Sequence, residues 1–294
     1  MKKIPILLAS IFSVLISDAQ KDKVYSSLDE ALKNPAEVFI LSLNNKKLTE
    51  VPENISLFAN LTSLDLAGNR LTSVPESIAG LVHLTELNLS NNKFNSIPET
   101  VTNLVTLTEL DFSSNNLSFL SGTITKLINL KQLYLNNNKI ASFPDYMAKM
   151  INLTEIYLYG NLLPSIPESI AKLTNLTEIG LGGNLLTSLP ESMSSLVTLK
   201  YLALSYNQFT DLPVCITKLT RLIVLDLNGN KFSLLPESIG NLTRLEELYL
   251  ESNKLTALPE SITRLTNLTK INIKENTSLK LSPDVKEFIR DKKL

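Results

Sequence analysis

The feature that most constrains the fold of this chain is an apolar pattern that recurs every 23 residues from about Val38 to Arg290. Adding 23 repeatedly returns the same residue type at nearly every position of this pattern, and eleven units fit without an insertion or a deletion. A fixed period of this length is typical of stacked repeat proteins, in which each unit contacts only its neighbours. One unit consists of Leu61, Leu64, Leu66, Asn69, Leu71, Val74, Pro75, Ile78 and Leu81.

The spacing within a unit predicts what each part of it forms. Leu64 and Leu66 alternate with a period of two, which predicts a short strand with one buried face. Asn69 follows where the chain must turn, and its amide can bond backbone groups that the turn leaves unpaired. Pro75 suits the first turn of a short helix or 3-10 segment, from which Ile78 points inwards. Because no unit buries this stripe alone, stacking must create one continuous core.

Both ends of the repeat carry signals for a capping helix. Ser27 and Glu30 have the spacing of a capping box at the start of a helix, and Ser282 followed by Pro283 predicts a second helix start. Capped ends keep a solenoid from stacking on other copies, so we expect a monomer. The predicted division of the chain is a signal peptide at 1–19, an N-terminal cap at 20–37, the solenoid at 38–281 and a C-terminal cap at 282–294.

The first nineteen residues have the pattern of a secretory signal peptide. Lys2 and Lys3 supply the positive start, and the apolar stretch from Ile4 to Ile16 is too short to span a membrane. Ser17 and Ala19 are small residues at the positions that a signal peptidase reads. A buried N-terminal helix is the alternative interpretation. We therefore predict cleavage near Ala19 and a secreted, periplasmic or cell-surface protein without a transmembrane span.

Composition and charge argue against several other classes of function. Lys and Arg number 28 against 29 Asp and Glu, and a net charge of −1 gives no support to nucleic-acid binding. The single cysteine, Cys215, allows no intramolecular disulfide. It replaces a serine of the repeat, so a half-buried substitute is favoured over a reactive thiol. His83, the only histidine, occupies a variable loop position without a second ligand or base.

Two further motifs also follow from the repeat. The glycines from Gly180 to Gly183 lack the Lys-Ser/Thr of a phosphate-binding loop and fall within a repeat strand. Asn-Leu-Thr sequons, such as the one at Asn175, arise from the consensus and become glycosylation sites only in a host that glycosylates. We therefore expect no catalytic residues, no metal and no cofactor, and a protein that is not an enzyme.

The consensus of the units, L-x-x-L-x-L-x-x-N-x-L-x-x-L-P-x-S-I-x-x-L, resembles the 23-residue class of the leucine-rich-repeat family. Intracellular Ras-group and Scribble-type scaffolds carry this class, as do many bacterial exported proteins. The resemblance covers almost the whole chain after the signal segment. It implies an α/β fold: a curved solenoid with a parallel sheet on the concave face and short helices or 3-10 turns on the convex face. It also implies recognition of a protein, without naming the partner.

Positions that vary around the consensus are the candidates for partner binding. With Leu64 and Leu66 pointing inwards, positions 63, 65 and 67 of that unit face out on the concave sheet, and 68 and 70 lie at its edge. Six of the eight tyrosines fall in these columns, whereas phenylalanines of the repeat fall in buried ones. The predicted protein-binding residues are Tyr134, Tyr157, Tyr159, Leu162, Gly180, Gly182, Leu185, Tyr201, Tyr206 and Tyr249.

Two details favour the middle of the concave face. Leu162 and Leu185 interrupt an edge column that is otherwise largely basic. Gly180, Gly182 and Gly183 fall between tyrosine-bearing units, which predicts a trough with walls about 10 Å apart. Exposed tyrosine and leucine around a depression are typical of an interface centre. The alternative is that tyrosine simply suits a strand, but that does not explain the two leucines.

Acidic side chains form a second pattern on the same face. Like charges on neighbouring strands cost stability, so the row could steer a basic partner. A solvated polar face is the favoured alternative. The two acidic columns are Glu86, Glu109, Glu155, Glu178 and Glu247, and next to them Asp65, Asp111 and Asp226.

The sequence therefore favours an exported module that binds a protein, or less readily a glycan, on its concave face. An intracellular scaffold linked to a small GTPase is the alternative that the repeat class permits and the signal segment argues against. An enzyme is a third class, and no pair of nucleophile and base supports it.

Overall fold

A computed structural model describes residues 21–292, and the predicted signal peptide lies outside this range. The described chain forms one parallel sheet in which twelve strands follow each other in sequence order. This architecture confirms the predicted curved leucine-rich-repeat solenoid. The strands are β1 (Val24–Tyr25), β2 (Ile40–Ser42), β3 (Ser63–Asp65), β4 (Glu86–Asn88), β5 (Glu109–Asp111), β6 (Gln132–Tyr134), β7 (Glu155–Tyr157), β8 (Glu178–Gly180), β9 (Tyr201–Ala203), β10 (Val224–Asp226), β11 (Glu247–Tyr249) and β12 (Lys270–Asn272).

The register of the sheet reproduces the sequence period. Leu64 on β3 lies beside Leu87 on β4, so each residue neighbours its equivalent 23 positions later. Leu64 and Leu87 are buried, while the residues on either side of Leu64 in β3 are partly exposed. The sheet therefore presents equivalent side chains in straight rows, with the leucines in the core and the variable positions on the concave face.

The opposite side of the solenoid is built from one-turn segments. Most are 3-10 helices: Pro35–Glu37, Glu53–Leu57, Glu76–Gly80, Gly122–Lys126, Asp145–Lys149, Glu168–Lys172, Glu191–Ser195, Val214–Lys218, Glu237–Asn241 and Glu260–Arg264. Within the described part of the chain, three segments are α-helical: α1 (Leu28–Ala31), α2 (Glu99–Thr102) and the longer C-terminal α3 (Pro283–Asp291). Within residues 21–292, no helix has the length and apolar character needed to cross a bilayer.

The 3-10 helix begins one residue after the repeat proline, whereas the sequence predicted that the proline would lie in its first turn. Pro75 is extended, with φ −69° and ψ 158°, and precedes the 3-10 helix as its N-cap. Its carbonyl accepts the first hydrogen bond of that helix from the amide of Ile78, 3.2 Å away. Proline has no amide hydrogen, so no backbone donor is left unpaired whether it is the N-cap or the first residue of the helix. Ile78 points into the core as predicted.

Buried asparagines join the units into a ladder, as predicted. The Nδ2 of Asn161 donates to the carbonyl of Leu135 in the preceding unit at 2.9 Å, and to that of Leu158 at 3.0 Å. Its Oδ1 accepts from the amide of Ile140 at 3.0 Å. One side chain thus satisfies backbone groups of two units that face the interior, where an unpaired group is costly.

The N-terminal cap contains a strand that the sequence did not predict. The side chain of Ser27 accepts from the amide of Glu30 at the start of α1, which matches the predicted capping box. Before it, Val24 and Tyr25 form β1, which pairs in parallel with β2. Two residues are too few to show a period of two, so this strand has no signal in the sequence. At the other end Ser282 caps α3 by accepting from the amide of Val285 at 3.3 Å.

Candidate functional site

Four of the predicted tyrosines form a continuous row across β6 to β9. Tyr134 and Tyr157 are neighbours in the register, and their rings stack with centroids 5.2 Å apart and an interplanar angle of 5°. The ring of Tyr159 lies 6.1 Å from that of Tyr157 at 16°. The hydroxyl oxygens of Tyr159 and Tyr201 are 2.9 Å apart. We call these four residues the tyrosine cluster. Mutual contact holds their rings in place before any partner binds.

The open trough predicted over Gly180 and Gly182 is absent. Both glycines are buried. A Cβ atom on Gly180 would overlap the ring of Tyr159, and one on Gly182 would lie 2.9 Å from Cδ1 of the same ring. The prediction was wrong because it treated each side chain as standing above its own strand, whereas Tyr159 lies across the neighbouring unit. The glycines make room for this ring, and the surface of the cluster is filled.

Leu162, Leu185 and Tyr206 form an apolar border beside the tyrosine cluster, which we call the edge patch. Leu162 is 47% exposed and Leu185 44% exposed. Tyr206 is 68% exposed, and Gly229 in the next unit gives its ring space. Large apolar side chains that stay exposed in a group indicate an interaction surface. The sixth predicted tyrosine, Tyr249, lies on β11. The structure therefore brings eight of the ten predicted residues to the surface, with the two glycines beneath it.

Tyr206 also adopts an unfavourable backbone conformation. Its φ is +53°, in the left-handed region, which costs an ordinary residue roughly 1–2 kcal/mol. The equivalent positions of other units have the same conformation, and all but Glu275 carry glycine or a small polar residue, such as Asn91 and Asn137. A strained residue that is also exposed contributes little to the core, and this combination favours a role in binding.

Replacing this tyrosine with the residue that the turn prefers should stabilise the protein. We expect Tyr206→Asn to raise the free energy of unfolding by about 1 kcal/mol, because asparagine tolerates the left-handed region. Urea denaturation followed by circular dichroism measures the change. The matched control is Asn137→Tyr, which should lower stability by a similar amount. A loss of stability in Tyr206→Asn would contradict the assignment of strain.

The tyrosine hydroxyls engage part of the acidic row. Tyr157 donates to Glu178, and Tyr249 donates to Glu247. Burial, followed by the charge of Glu155, raises the pKa of Tyr134 to about 12. Burial is also the largest cause of the raised pKa of Tyr157 and of Tyr159. These hydroxyls therefore remain protonated donors at physiological pH.

The acidic row contains carboxylates that form no close contacts with basic side chains of the described residues. Within residues 21–292, no ion pair involves a carboxylate of the concave face. Burial raises the pKa of Glu109, and the charges of Glu86 and Asp111 raise it further. Like charges thus repel each other here, and the structure leaves their field directed at solvent.

Two depressions on the concave face differ in the side chains that line them. One, of about 230 Å³, is lined by Ser63, Leu64, Asp65, Glu86, Leu87, Asn88 and Glu109 over β3 to β5. The other, of about 280 Å³, is lined by Tyr201, Val224, Asp226, Asn228, Glu247 and Tyr249 over β9 to β11. Only the second has aromatic side chains in its lining. The tyrosine cluster lies between the two depressions, with Tyr201 contributing to both the cluster and the second depression.

The remaining candidate residues show no arrangement for chemistry. His83 is exposed in a loop. Cys215 is fully buried rather than half-buried, and burial raises the pKa of its thiol to about 11, which keeps it protonated. Among the described residues, no group of three or more His, Cys, Asp or Glu side chains could hold a metal ion.

A row of exposed aliphatic side chains lies outside the predicted site. Val82, Val105, Ile128 and Ile151 occupy equivalent positions of consecutive units, at the turn that precedes each strand, and Ile128 is 62% exposed. Most later units carry threonine at the same position, as at Thr220, and Val197 is the exception. The sequence already shows that four consecutive units have a valine or isoleucine where most later units have a threonine. This aliphatic row lies outside the concave face.

Comparison with protein families agrees with the architecture. A profile described as a leucine-rich repeat region matches residues 77–188 and 184–290, and a second leucine-rich-repeat profile matches residues 36–94. The chain belongs to the leucine-rich-repeat family. No match is found among curated proteins.

Several solved leucine-rich-repeat structures are similar to this chain. A TDR receptor is 30% identical with a TM-score of 0.74, and the match covers 91% of this chain and 49% of that one. TLR13 in complex with the RNA ssRNA13 is 25% identical with a TM-score of 0.70, covering 81% and 36%. The plant peptide hormone receptor RGFR1 in complex with RGF2 is 28% identical with a TM-score of 0.66, covering 82% and 40%. The chain spans less than half the length of each of these proteins.

Proposed function

We propose that this leucine-rich-repeat protein is an exported module that binds a protein or peptide partner on its concave face. Binding is centred on the tyrosine cluster and the adjoining edge patch. The observation that carries the proposal is that Leu162, Leu185 and Tyr206 remain exposed beside a row of interlocked tyrosine rings. Leucine-rich-repeat proteins are typically interaction modules without catalytic activity. Among the described residues, no arrangement of side chains suggests catalysis.

The physical properties of the cluster suit an interface centre. Tyrosine offers a large apolar ring and a polar tip, and it is enriched where binding energy is concentrated. Contact between Tyr134, Tyr157 and Tyr159 fixes the rings in the free protein. Binding therefore costs little side-chain entropy, which is the advantage of a preorganised surface.

A peptide-like partner is favoured over a nucleic acid. The similar receptor RGFR1 is in complex with RGF2, whereas TLR13 is in complex with an RNA. In this chain the concave face carries unneutralised carboxylates such as Glu109, which repel phosphate. The stacking of Tyr134 on Tyr157 also occupies ring faces that a sugar ring or a base would otherwise use. We therefore expect the partner to be a protein or peptide.

The test compares surface variants in capture of a partner. The protein is immobilised, partners are recovered from the secreted and surface fractions of the source cells, and each is identified and then titrated as a purified protein. In Leu162→Lys/Leu185→Lys, the two leucines become the residue that most other units carry in this column. We expect at least tenfold weaker binding, because two apolar anchors are lost and two charges are placed in the interface. Tyr157→Ala/Tyr201→Ala should weaken binding further.

The matched control lies on the aliphatic row. In Val105→Thr/Ile128→Thr, two exposed residues take the side chain that most later units carry at the same position. This variant should bind as the wild type does. If the control loses binding and the leucine and tyrosine variants keep it, the partner binds at the aliphatic row and the proposed site is wrong.

Export is tested separately. Mass spectrometry of the protein secreted by its source cells should show an N-terminus at Gln20, following cleavage after Ala19. Recovery of the uncleaved chain from the cell interior alone would support the intracellular scaffold instead.

A further inference from the structure

The depression over β9 to β11 has the composition of a pocket for a cation. Tyr201 stands on one side and Tyr249 on the other, on strands separated by about 10 Å. Val224 and Asp226 on the intervening strand β10 form its floor. An aromatic wall attracts a cation through its ring face, and the methylene groups of a long basic side chain can lie against Val224.

The two carboxylates of this pocket have bonding capacity to spare. Oδ1 of Asp226 accepts from the amide of Asn228 at 3.0 Å, and in the described chain Oδ2 accepts no hydrogen bond. Glu247 accepts from the hydroxyl of Tyr249 through one oxygen only. Neither carboxylate has an ion-pair partner within residues 21–292. The pocket thus presents two negative charges and open acceptor sites between aromatic walls.

The protein already places one cation on a wall of this pocket. The Nζ of Lys270, on β12, lies 4.7 Å from the ring centroid of Tyr249 and 2.9 Å from its hydroxyl. Lys270 does not line the depression, which extends from Tyr249 towards β9. Tyr249 therefore has the geometry and the nearby carboxylate needed to hold a positive group. The side towards β10 offers the same chemistry with a second ring, that of Tyr201.

We propose that the Tyr201–Tyr249 pocket receives an arginine side chain of the partner. This inference rests on the proposed function, and it adds that the partner carries an arginine at the interface, which the tyrosine cluster alone does not indicate. Guanidinium is flat, stacks on aromatic rings and bonds carboxylates through paired N–H groups, so it uses both kinds of wall. The other depression carries carboxylates without aromatic rings and serves as the internal comparison.

The experiment titrates the whole protein with a small probe. Nα-acetyl-arginine methylamide is added while the ring signals of the tyrosines, carbon-13 labelled, are followed by NMR; only eight tyrosines contribute. We expect saturable shifts of Tyr201 and Tyr249 with a dissociation constant on the order of 1 mM, as suits one side chain. The citrulline analogue has the same shape without the charge, and it should shift these signals at least fivefold less.

Two matched variants locate the site. Asp226→Asn keeps the shape of the side chain and should weaken probe binding at least fivefold. Asp65→Asn changes the equivalent residue seven units earlier, whose Oδ1 likewise accepts an amide two residues on at 3.0 Å. It should leave the shifts of Tyr201 and Tyr249 unchanged. Equal shifts with citrulline, or wild-type binding by Asp226→Asn, would overturn the proposal.

Failure of this inference is distinguishable from failure of the proposed function. The probe needs no partner, so it reports on the pocket alone. If the pocket ignores arginine while Leu162→Lys/Leu185→Lys still loses the partner, only the assignment of arginine is wrong. If the pocket binds the arginine probe and Leu162→Lys/Leu185→Lys keeps the partner, the edge patch is not the binding site and the pocket assignment remains. If Tyr157→Ala/Tyr201→Ala also keeps the partner, the pocket does not receive the partner's arginine, because this variant lacks one of its walls.

Discussion

Replacement of Asn161 by alanine is expected to lower the free energy of unfolding by about 3 kcal/mol, since each buried polar group left unpaired costs roughly 1–3 kcal/mol. The side chain joins the carbonyl of Leu135 in one unit to that of Leu158 in the next, and it accepts the amide of Ile140. Alanine leaves these groups buried without partners and cannot admit enough water to replace the amide. Urea denaturation followed by circular dichroism measures the loss.

Asn116→Ala is the control for this prediction. Asn116 lies one position after the ladder asparagine of its unit, and its side chain bonds Lys139 at the surface. A surface contact of this kind contributes within about 0.5 kcal/mol. Comparable losses in the two variants would show that the ladder adds nothing beyond general disruption of the turn.

The second large effect concerns the packing of Tyr159 over Gly180. Gly180→Ala should lower the free energy of unfolding by about 2 kcal/mol, because the added methyl group forces apart a packed contact. It would meet the ring of Tyr159, and it would lie 2.8 Å from Cδ1 of Tyr157. The ring of Tyr159 cannot move aside freely, since it is stacked on Tyr157 and bonded to Tyr201.

A double-mutant cycle isolates this contact. Tyr159→Ala removes the ring that the new methyl group would meet, so Gly180→Ala should cost at least 1 kcal/mol less in that background. Gly122→Ala is the control substitution, because nothing lies within 4 Å of its added Cβ. Strictly additive losses would show that Tyr159 does not cover Gly180 in solution.

The period alone was sufficient to predict the solenoid. Leucine at Leu64 and Leu66, asparagine at Asn69 and the apolar Ile78 each have one structural role, and all four point into the core. The same rows locate the variable positions, because a strand exposes alternate residues. Leu162 and Leu185 lie beyond the strands, directly after a ladder asparagine, and they are exposed as predicted for that edge column.

The arrangement within the candidate site could not be read in the same way. The rule places Tyr159 on the concave face but does not say that its ring crosses to Gly180 and Gly182. Nor does it show that Tyr201 and Tyr249 enclose a depression above Asp226. These features depend on side-chain rotamers and on neighbours one and two units away. A pattern in one unit carries no information about them.

The parallel register has a consequence for the spacing of a partner's side chains. Strands repeat about every 4.8 Å across the concave face, whereas an extended chain rises about 3.3 Å per residue. Three residues of an extended ligand therefore span about the same distance as two strand spacings, roughly 10 Å. In an extended partner laid across the strands, a residue three positions from the one over β10 would lie over β8, where Tyr159 covers the glycines. An extended partner laid in this direction would therefore repeat its contacts with the sheet at every third residue.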